Sequence, residues 1–367
     1  MPEITRGTCH VLFAYDIAFS IDLDEAERQI KDIKQRETIK HRRRAPKYFQ
    51  YQPAPLRVTQ GVESLSIGKF KTNNAVDVVL YDFGGVSVLY SIPLRGSFSD
   101  LLSLSEALYD NLLLLNDSRR RVELVLNAVS AAVNKPNVSN FVEDYVIFQI
   151  DSLAPTEPIS ELILQQRQSL AQILRAETRE LSEDEVTDAI SRRVSFGRDD
   201  VTIVDWNSAI VMDPEAEDIL AVLEFANLEL LEMRYLDNRI DNALTLAYET
   251  LAKRPLHRWI SFGAGPAELH RVAQWHLDSA ILFEGVNNSL KLLGDQYLAR
   301  LYRTAAERFH LTEWDSAILR KLETLDGIYS KISDLVTARR MEVLEWIIIV
   351  LIAVSIALPF FISYTGH

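Results

Sequence analysis

Cysteine is almost missing from this chain of 367 residues, Cys9 being the single one. That excludes an intramolecular disulfide and any multi-cysteine zinc site. Glycine and proline are sparse, at 13 and 12 residues, which excludes collagen-like and Pro/Gly-rich low-complexity chains. Basic residues fall short of acidic ones, 39 against 52, for a net charge of −13. Phosphates would be repelled by most of such a surface, so no DNA partner is expected, and only a local basic patch could hold RNA. Apolar material is plentiful at 48%, so the chain can bury a core. The length suggests two domains or slightly more, at about 150 residues each.

The longest uncharged run is at the end, WIIIVLIAVSIALPFFISY, from Trp346 to Tyr364. Twelve of its residues are Ile, Leu, Val or Phe. Such a run predicts a helix that crosses a hydrocarbon layer of roughly 30 Å. Trp346, Ile347, Ile348, Ile349 and Tyr364 mark it as a membrane anchor, with aromatic residues at both interfaces. Arg339 and Arg340 precede it and favour a cytoplasmic body. The N-terminus, MPEITRGTCHVLFAYD, has neither a signal-peptide nor a transit pattern. The expectation is a bacterial inner-membrane protein with a single C-terminal span.

Ahead of that run the apolar spacing is 4-3 through Ile318, Leu322, Leu325, Tyr329, Ile332, Val336, Val343 and Trp346. One helix from Thr312 to about Ile362 would be roughly 75 Å long. A second long helix follows Asp213-Pro214. Its seam is Ile219, Leu223, Ala226, Leu230, Met233, Asp237, Ile240, Leu244, Ala247 and Leu251. Asp237 is its one polar member and could fix the register. A third helix is expected from about Pro266 to Phe309. The seams suit either an intrachain bundle or a coiled coil between chains, so a homo-oligomer is expected.

The N-terminal half reads as mixed α and β. Residues 11–19 predict a buried strand, followed by a charged helix from Asp22 to about Thr38. Residues 76–92 predict a hairpin turning at Asp82-Phe83-Gly84-Gly85. Helices follow at about 98–115 and 117–133. The pattern then recurs: a strand at 143–151, a helix from Pro158 to about Glu180, a capping-box start at Ser182 and a hairpin at 200–212 turning at Asp205-Trp206-Asn207-Ser208. The predicted fold class is α+β, then long helices and a transmembrane helix; the recurring β-α-β-β-α order raises internal duplication as a hypothesis, with one sheet lacking that relation as its refutation. The expected boundaries are 1–138 and 139–213 for the α/β units, 214–312 for the long helices, 313–345 for a stalk and 346–364 for the anchor.

Catalytic patterns are absent or mismatched. Gly61 to Gly68-Lys69-Phe70 has the wrong spacing for a phosphate loop, with Phe70 where a hydroxyl should hold magnesium. Gly263 and Gly265 lie between helices rather than after a strand. Asp82-Phe83-Gly84 lacks the catalytic loop that accompanies it in kinases. His270 and His276, six apart on a predicted helix, face different ways. Cys9 and His10 are neighbours on a strand and point to opposite faces. No catalytic residue, metal or cofactor is therefore expected.

One polar stretch stands out, KHRRRAPKYFQYQPAPLR at residues 40–57. It holds Arg42, Arg43, Arg44 and Lys47 beside Tyr48, Phe49 and Tyr51. Arginine with aromatics suits RNA or a ribosome through phosphate pairing and stacking. The same residues suit anionic lipid headgroups, or a strap on the chain's own acidic helices.

The junction Arg340-Met341-Glu342-Val343-Leu344-Glu345-Trp346-Ile347-Ile348-Ile349 resembles a tail motif of the "required for meiotic nuclear division"/YagE-like family. Residues 228–244 (LELLEMRYLDNRIDNAL) resemble a helix of that family. The resemblance implies a C-terminally anchored, homo-oligomeric protein, here of a bacterial branch, with no catalytic residues to carry over. Together the residues predict a non-enzymatic, tail-anchored scaffold. It would self-associate through Leu230, Met233, Asp237, Ile240, Leu244, Leu325 and Ile332 and tether RNA, ribosomes or another partner. The alternatives are an enzyme or small-ligand binder with a site in the α/β part, or an envelope regulator.

Overall fold

The structure is a computed structural model. It describes residues 2–30, 33–36, 53–156, 158–252 and 296–365. By contact density the chain divides into two compact units, Met1–Leu236 with Leu282–Ser316, and Asp237–Ile281 with Ala317–His367.

The first unit is built on one sheet. The described elements of the chain, in order, are β1 (Glu3–Asp16), β2 (Ala18–Ile21), α1 (Leu23–Gln29), β3 (Ile33–Arg36), β4 (Leu56–Gly61), β5 (Ser66–Ile67), β6 (Phe70–Lys71), β7 (Ala75–Leu80) and β8 (Gly85–Ser97). Next come α2 (Phe98–Leu108), α3 (Leu112–Ala128), β9 (Val133–Pro136), β10 (Glu143–Ala154), α4 (Ile159–Gln165), α5 (Arg167–Arg175) and α6 (Glu183–Ser191). The last are β11 (Arg193–Val194), β12 (Val201–Val204), β13 (Ser208–Met212), α7 (Glu217–Ala252), α8 (Gln296–Arg308) and α9 (Leu311–Thr365). Among the described residues nine strands join in the order β11-β12-β13-β10-β1-β8-β7-β4-β3. β1 lies in the middle and pairs antiparallel with both β8 and β10. That explains why its apolar run is nearly continuous: a central strand covered on both faces has no solvent side.

The sheet separates two cores. Cys9, Val11, Phe13 and Tyr15 point into the larger one, with α2, α3 and α5. Leu12, Tyr145 and Ile147 point to the other face, against α7 and α8. Tyr15 donates or accepts at Ser118 Oγ, 2.6 Å away, and Tyr90 donates to Asp117 at 2.8 Å. These bonds seat α3 on the sheet, where two buried phenols need partners.

Two hairpins fall where the residues place them, β7–β8 and β12–β13. Gly84 sits at φ +101 in the first turn, and a Cβ there would lie 1.8 Å from the carbonyl oxygen of Ala18. Only glycine fits that approach. The helix expected at 98–115 breaks earlier. Ser97 and Asp100 form a capping box at its start, Asp110 takes φ 49, and Asn111 caps the next helix. The helix expected to reach Thr38 stops at Gln29.

The duplicated architecture is corrected. Strands of both expected units belong to one sheet. The β7–β8 hairpin meets β1 antiparallel, whereas the β12–β13 hairpin meets β10 parallel, through a crossover containing α4, α5 and α6. Equal order with opposite sense does not make superposable repeats.

The membrane anchor is also corrected. Among the described residues no helix is long and apolar enough to cross a membrane. Trp346, Ile347, Ile348 and Ile349, expected to open the span, lie on α9 (Leu311–Thr365). Glu342 and Glu345 stand directly before them. The transmembrane helix, the tail-anchor description and the inner-membrane location therefore fall. The side chain of Tyr364 lies outside those described.

In the second unit, α7 and α9 form a helix pair. Ile240, Ala247, Ile318 and Leu325 are fully buried. Asp237, the polar seam member, meets Lys321 Nζ at 2.7 Å, and Asp241 meets it at 2.8 Å.

Candidate functional site

Four arrangements carry the chemistry of the described residues. The first is a polar row on the α7 face of the sheet. His10 on β1 faces Ser91 across the β8 pair. Its Nε2 lies 3.1 Å from Gln149 Oε1, and its Nδ1 lies 3.4 Å from Ser91 Oγ. An amide oxygen only accepts, so Nε2–H donates to Gln149 and Nδ1 accepts from Ser91. Gln149 passes the chain on, donating to Asp151 at 2.9 Å and to the Asp213 carbonyl at 3.3 Å. Arg6 donates to Asp151 at 3.1 Å. Burial holds the imidazole pKa down, with Arg57 adding to it, while Gln149, Asp151 and Asp77 pull the other way. His10 is thus a neutral ring with both nitrogens committed. Its neighbour Cys9 lies in the opposite core, and burial pushes that thiol well up.

At the far end of the row Arg57 on β4 donates to Asp77 at 2.9 Å and approaches Glu224 of α7 at 3.8 Å. Thr59 also donates to Asp77, at 2.6 Å. Arg57 is the one described member of the basic stretch 40–57 among its charged residues, and here it is a structural cation. Arg42, Arg43, Arg44, Lys47, Tyr48, Phe49 and Tyr51 lie outside the described residues, as do His270 and His276.

The second arrangement is an ion cluster around Asp205, which is fully buried in the β12–β13 turn. Arg175 Nε at the end of α5 reaches it at 2.5 Å, and Arg308 Nε at the end of α8 at 2.6 Å. Both arginines also hold Asp188 of α6, at 2.6 and 2.7 Å. Tyr145 donates to the Asp205 carbonyl at 2.9 Å. The hydrogen bond from Arg308 holds the Asp188 carboxyl below the usual range, with Arg175 assisting. Four elements distant in sequence meet here, so the cluster fastens α5, α6 and α8 to one turn. Sequence reading singled out the turn but not the cluster, because nothing local links Arg175 or Arg308 to it.

The third arrangement lies on α7. Residues 222–229 are buried without interruption, and Glu224, Glu229 and Glu232 are among the buried charges. Tyr302 of α8 donates to Glu229 Oε2 at 2.6 Å. Burial pushes the Glu229 carboxyl up to about 8, Asp315 adds to this, and the Tyr302 hydrogen bond opposes it.

The fourth is apolar. On α9, Met341, Leu344, Trp346, Ile347, Ile348, Ile349 and the large apolar residues up to Ile356 are between 46% and 67% exposed. The seam upstream is partly used: Met233, Ile240 and Leu325 are buried, Leu230 and Leu244 half-buried, and the side chain of Ile332 lies outside those described. Among the described residues no group of three or more His, Cys, Asp or Glu is placed to hold a metal ion.

The comparisons replace the expected family with another. The chain is similar to the "Uncharacterized protein MJ0711" of Methanocaldococcus jannaschii, at 22% identity over 308 residues, covering 82% of this chain and 83% of the relative. No solved structure matches the chain significantly. The likeness to the YagE-like family and its bacterial branch is overturned: the relative is archaeal, and the family model that matches is a different one. That likeness rested on a short tail of acid, tryptophan and isoleucines and on the leucine-rich helix 228–244, patterns that many amphipathic or apolar helices supply. The matching model, described as "Uncharacterized protein MJ0711, N-terminal domain", spans residues 6–218, the sheet and its helices up to the start of α7, and the chain belongs to that family.

Proposed function

We propose that the protein is a non-enzymatic scaffold that assembles with further copies of itself through the distal part of α9. The observation that carries this is the exposed apolar stretch from Met341 to Ile356. Each large side chain there leaves on the order of 100 Å² uncovered. The patch is then roughly 1,000 Å², above the roughly 300–600 Å² of the largest patch on an ordinary monomer. Covering it is favoured by about 25 kcal/mol before the costs of association, which run to about 4–15 kcal/mol. A second copy is the fitting cover, because the 4-3 rhythm through Val343, Trp346 and Val350 presents the same seam on every chain.

Sedimentation equilibrium of the full chain tests this. The wild type is expected to sediment as a multiple of 41.8 kDa, and Ile349→Asp with Val350→Asp as a monomer. Leu113→Glu, at an exposed leucine on α3, serves as the control that leaves assembly intact. A wild type that stays monomeric at tens of micromolar, or that binds phospholipid vesicles only as a monomer, overturns the proposal.

A further inference from the structure

The contact between α7 and α8 includes a buried carboxyl that no described Lys or Arg reaches. Glu229 is 2% exposed and sits within the buried run 222–229. The groups that face it are the Tyr302 phenol of α8, at 2.6 Å, and the Asp315 carboxylate in the first turns of α9. Glu232, one turn along α7, adds another acidic side chain on the same helix. The cation that the sheet offers to α7, Arg57, reaches Glu224 instead. Among the described residues no Lys or Arg compensates Glu229. A buried carboxylate facing a second acid is unfavourable, whereas a neutral carboxyl still accepts from a phenol.

We propose that α8 is a strap that stays on α7 while Glu229 is protonated and lifts from it when that proton is lost. The opposite end of α8 is held by different chemistry. Arg308 grips Asp188 and Asp205 through its guanidinium. Opening therefore starts at Tyr302, six residues earlier, and Arg308 acts as the hinge end. The inference is independent of assembly through α9.

The sign follows from burial. The carboxyl titrates near 8 in the folded chain, against an ordinary 4.5. Folding thus binds a proton between these values, and the closed form weakens as pH rises through that range and is flat above it. The opening equilibrium should rise about tenfold per pH unit well inside that range, and about fiftyfold from pH 6 to 8, where the slope begins to level.

Hydrogen exchange of the α8 amides in the full chain, corrected for intrinsic rates, reads this directly. Protection in the wild type is expected to drop about fiftyfold between pH 6 and 8, and to stay level in Glu229→Gln. Tyr302→Phe removes a bond that favours the ionised form, so its transition moves to higher pH. A merely structural role for the pair would not produce that shift. Equal slopes in wild type and Glu229→Gln overturn the proposal. Should Glu229→Gln fail to fold, infrared difference spectra of the wild type decide. A protonated-carboxyl band at pH 6 that vanishes above pH 8 supports the strap, and its absence at pH 6 refutes it.

Discussion

Replacing Asp205 by Ala should cost the first unit more than any other single carboxylate deletion in the ion cluster. Asp205 is fully buried and is held by Arg175 and Arg308, whose side chains are 18% and 14% exposed. Removing one member of a buried pair costs about 3–5 kcal/mol, because the remaining charge is left in a poor solvent. Here both arginines keep Asp188, at 2.6 and 2.7 Å, so the lower end of that range applies. The Trp206 amide also loses its acceptor, now 2.8 Å away, for about 1 kcal/mol. The expected loss is about 3–4 kcal/mol, which lowers a urea midpoint by about 1 M if the slope is about 3 kcal/mol/M. Asp188→Ala provides the internal comparison. Its carboxylate is 54% exposed, so its loss should cost below about 1 kcal/mol. Equal losses for the two variants, or a loss under about 1 kcal/mol for Asp205→Ala, would refute the reasoning that burial sets the hierarchy.

Further outcomes follow from the same structure. Gly84→Ala should destabilise by about 3 kcal/mol in urea unfolding, since it combines left-handed backbone with a Cβ pressed on Ala18. Asp117→Ala should cost about 2 kcal/mol, because the Tyr90 hydroxyl and Arg121 both lose their partner. Cys9 should resist thiol reagents in the native chain and react only on unfolding, as a buried thiol with a raised pKa does. Asp188 gives the acid limit. Its pKa is lowered in the folded chain, so its contribution is complete above about pH 4 and disappears as pH falls through the folded value. An acid titration of the α8 amide protection would read that loss.

Much of the local architecture is legible in the residues, because its causes are local. The turns at Asp82–Gly85 and Asp205–Ser208 stand between β-rich runs, and both form hairpins. The seam of α7 is visible because burial of Ile219, Leu223, Ala226, Met233 and Ile240 repeats with the helix period. What is not legible is long-range. Nothing in 1–138 or 139–213 tells that their strands share one sheet, or that β13 runs parallel to β10. Gly7 is an example: a Cβ there would lie 2.5 Å from the Gln149 carbonyl, a constraint set by a strand more than a hundred residues away. Glu229 is equally silent. In LELLEM it reads as one acid of a solvated helix face, and only the docking of α8 buries it. The tail shows the opposite failure: composition alone suggested a span, whereas among the described residues no helix is long and apolar enough to cross a membrane.

Assembly through α9 is tested most directly by single cysteines placed in turn from 343 to 354 in the full chain, with the yield of disulfide-linked chains read after mild oxidation. Cys9 is buried and does not interfere. Linked pairs are expected to peak at Val343, Trp346, Val350 and Ala353 and to fall between them, the pattern of two like helices meeting along one seam. Uniformly negligible yield along the whole stretch would contradict it.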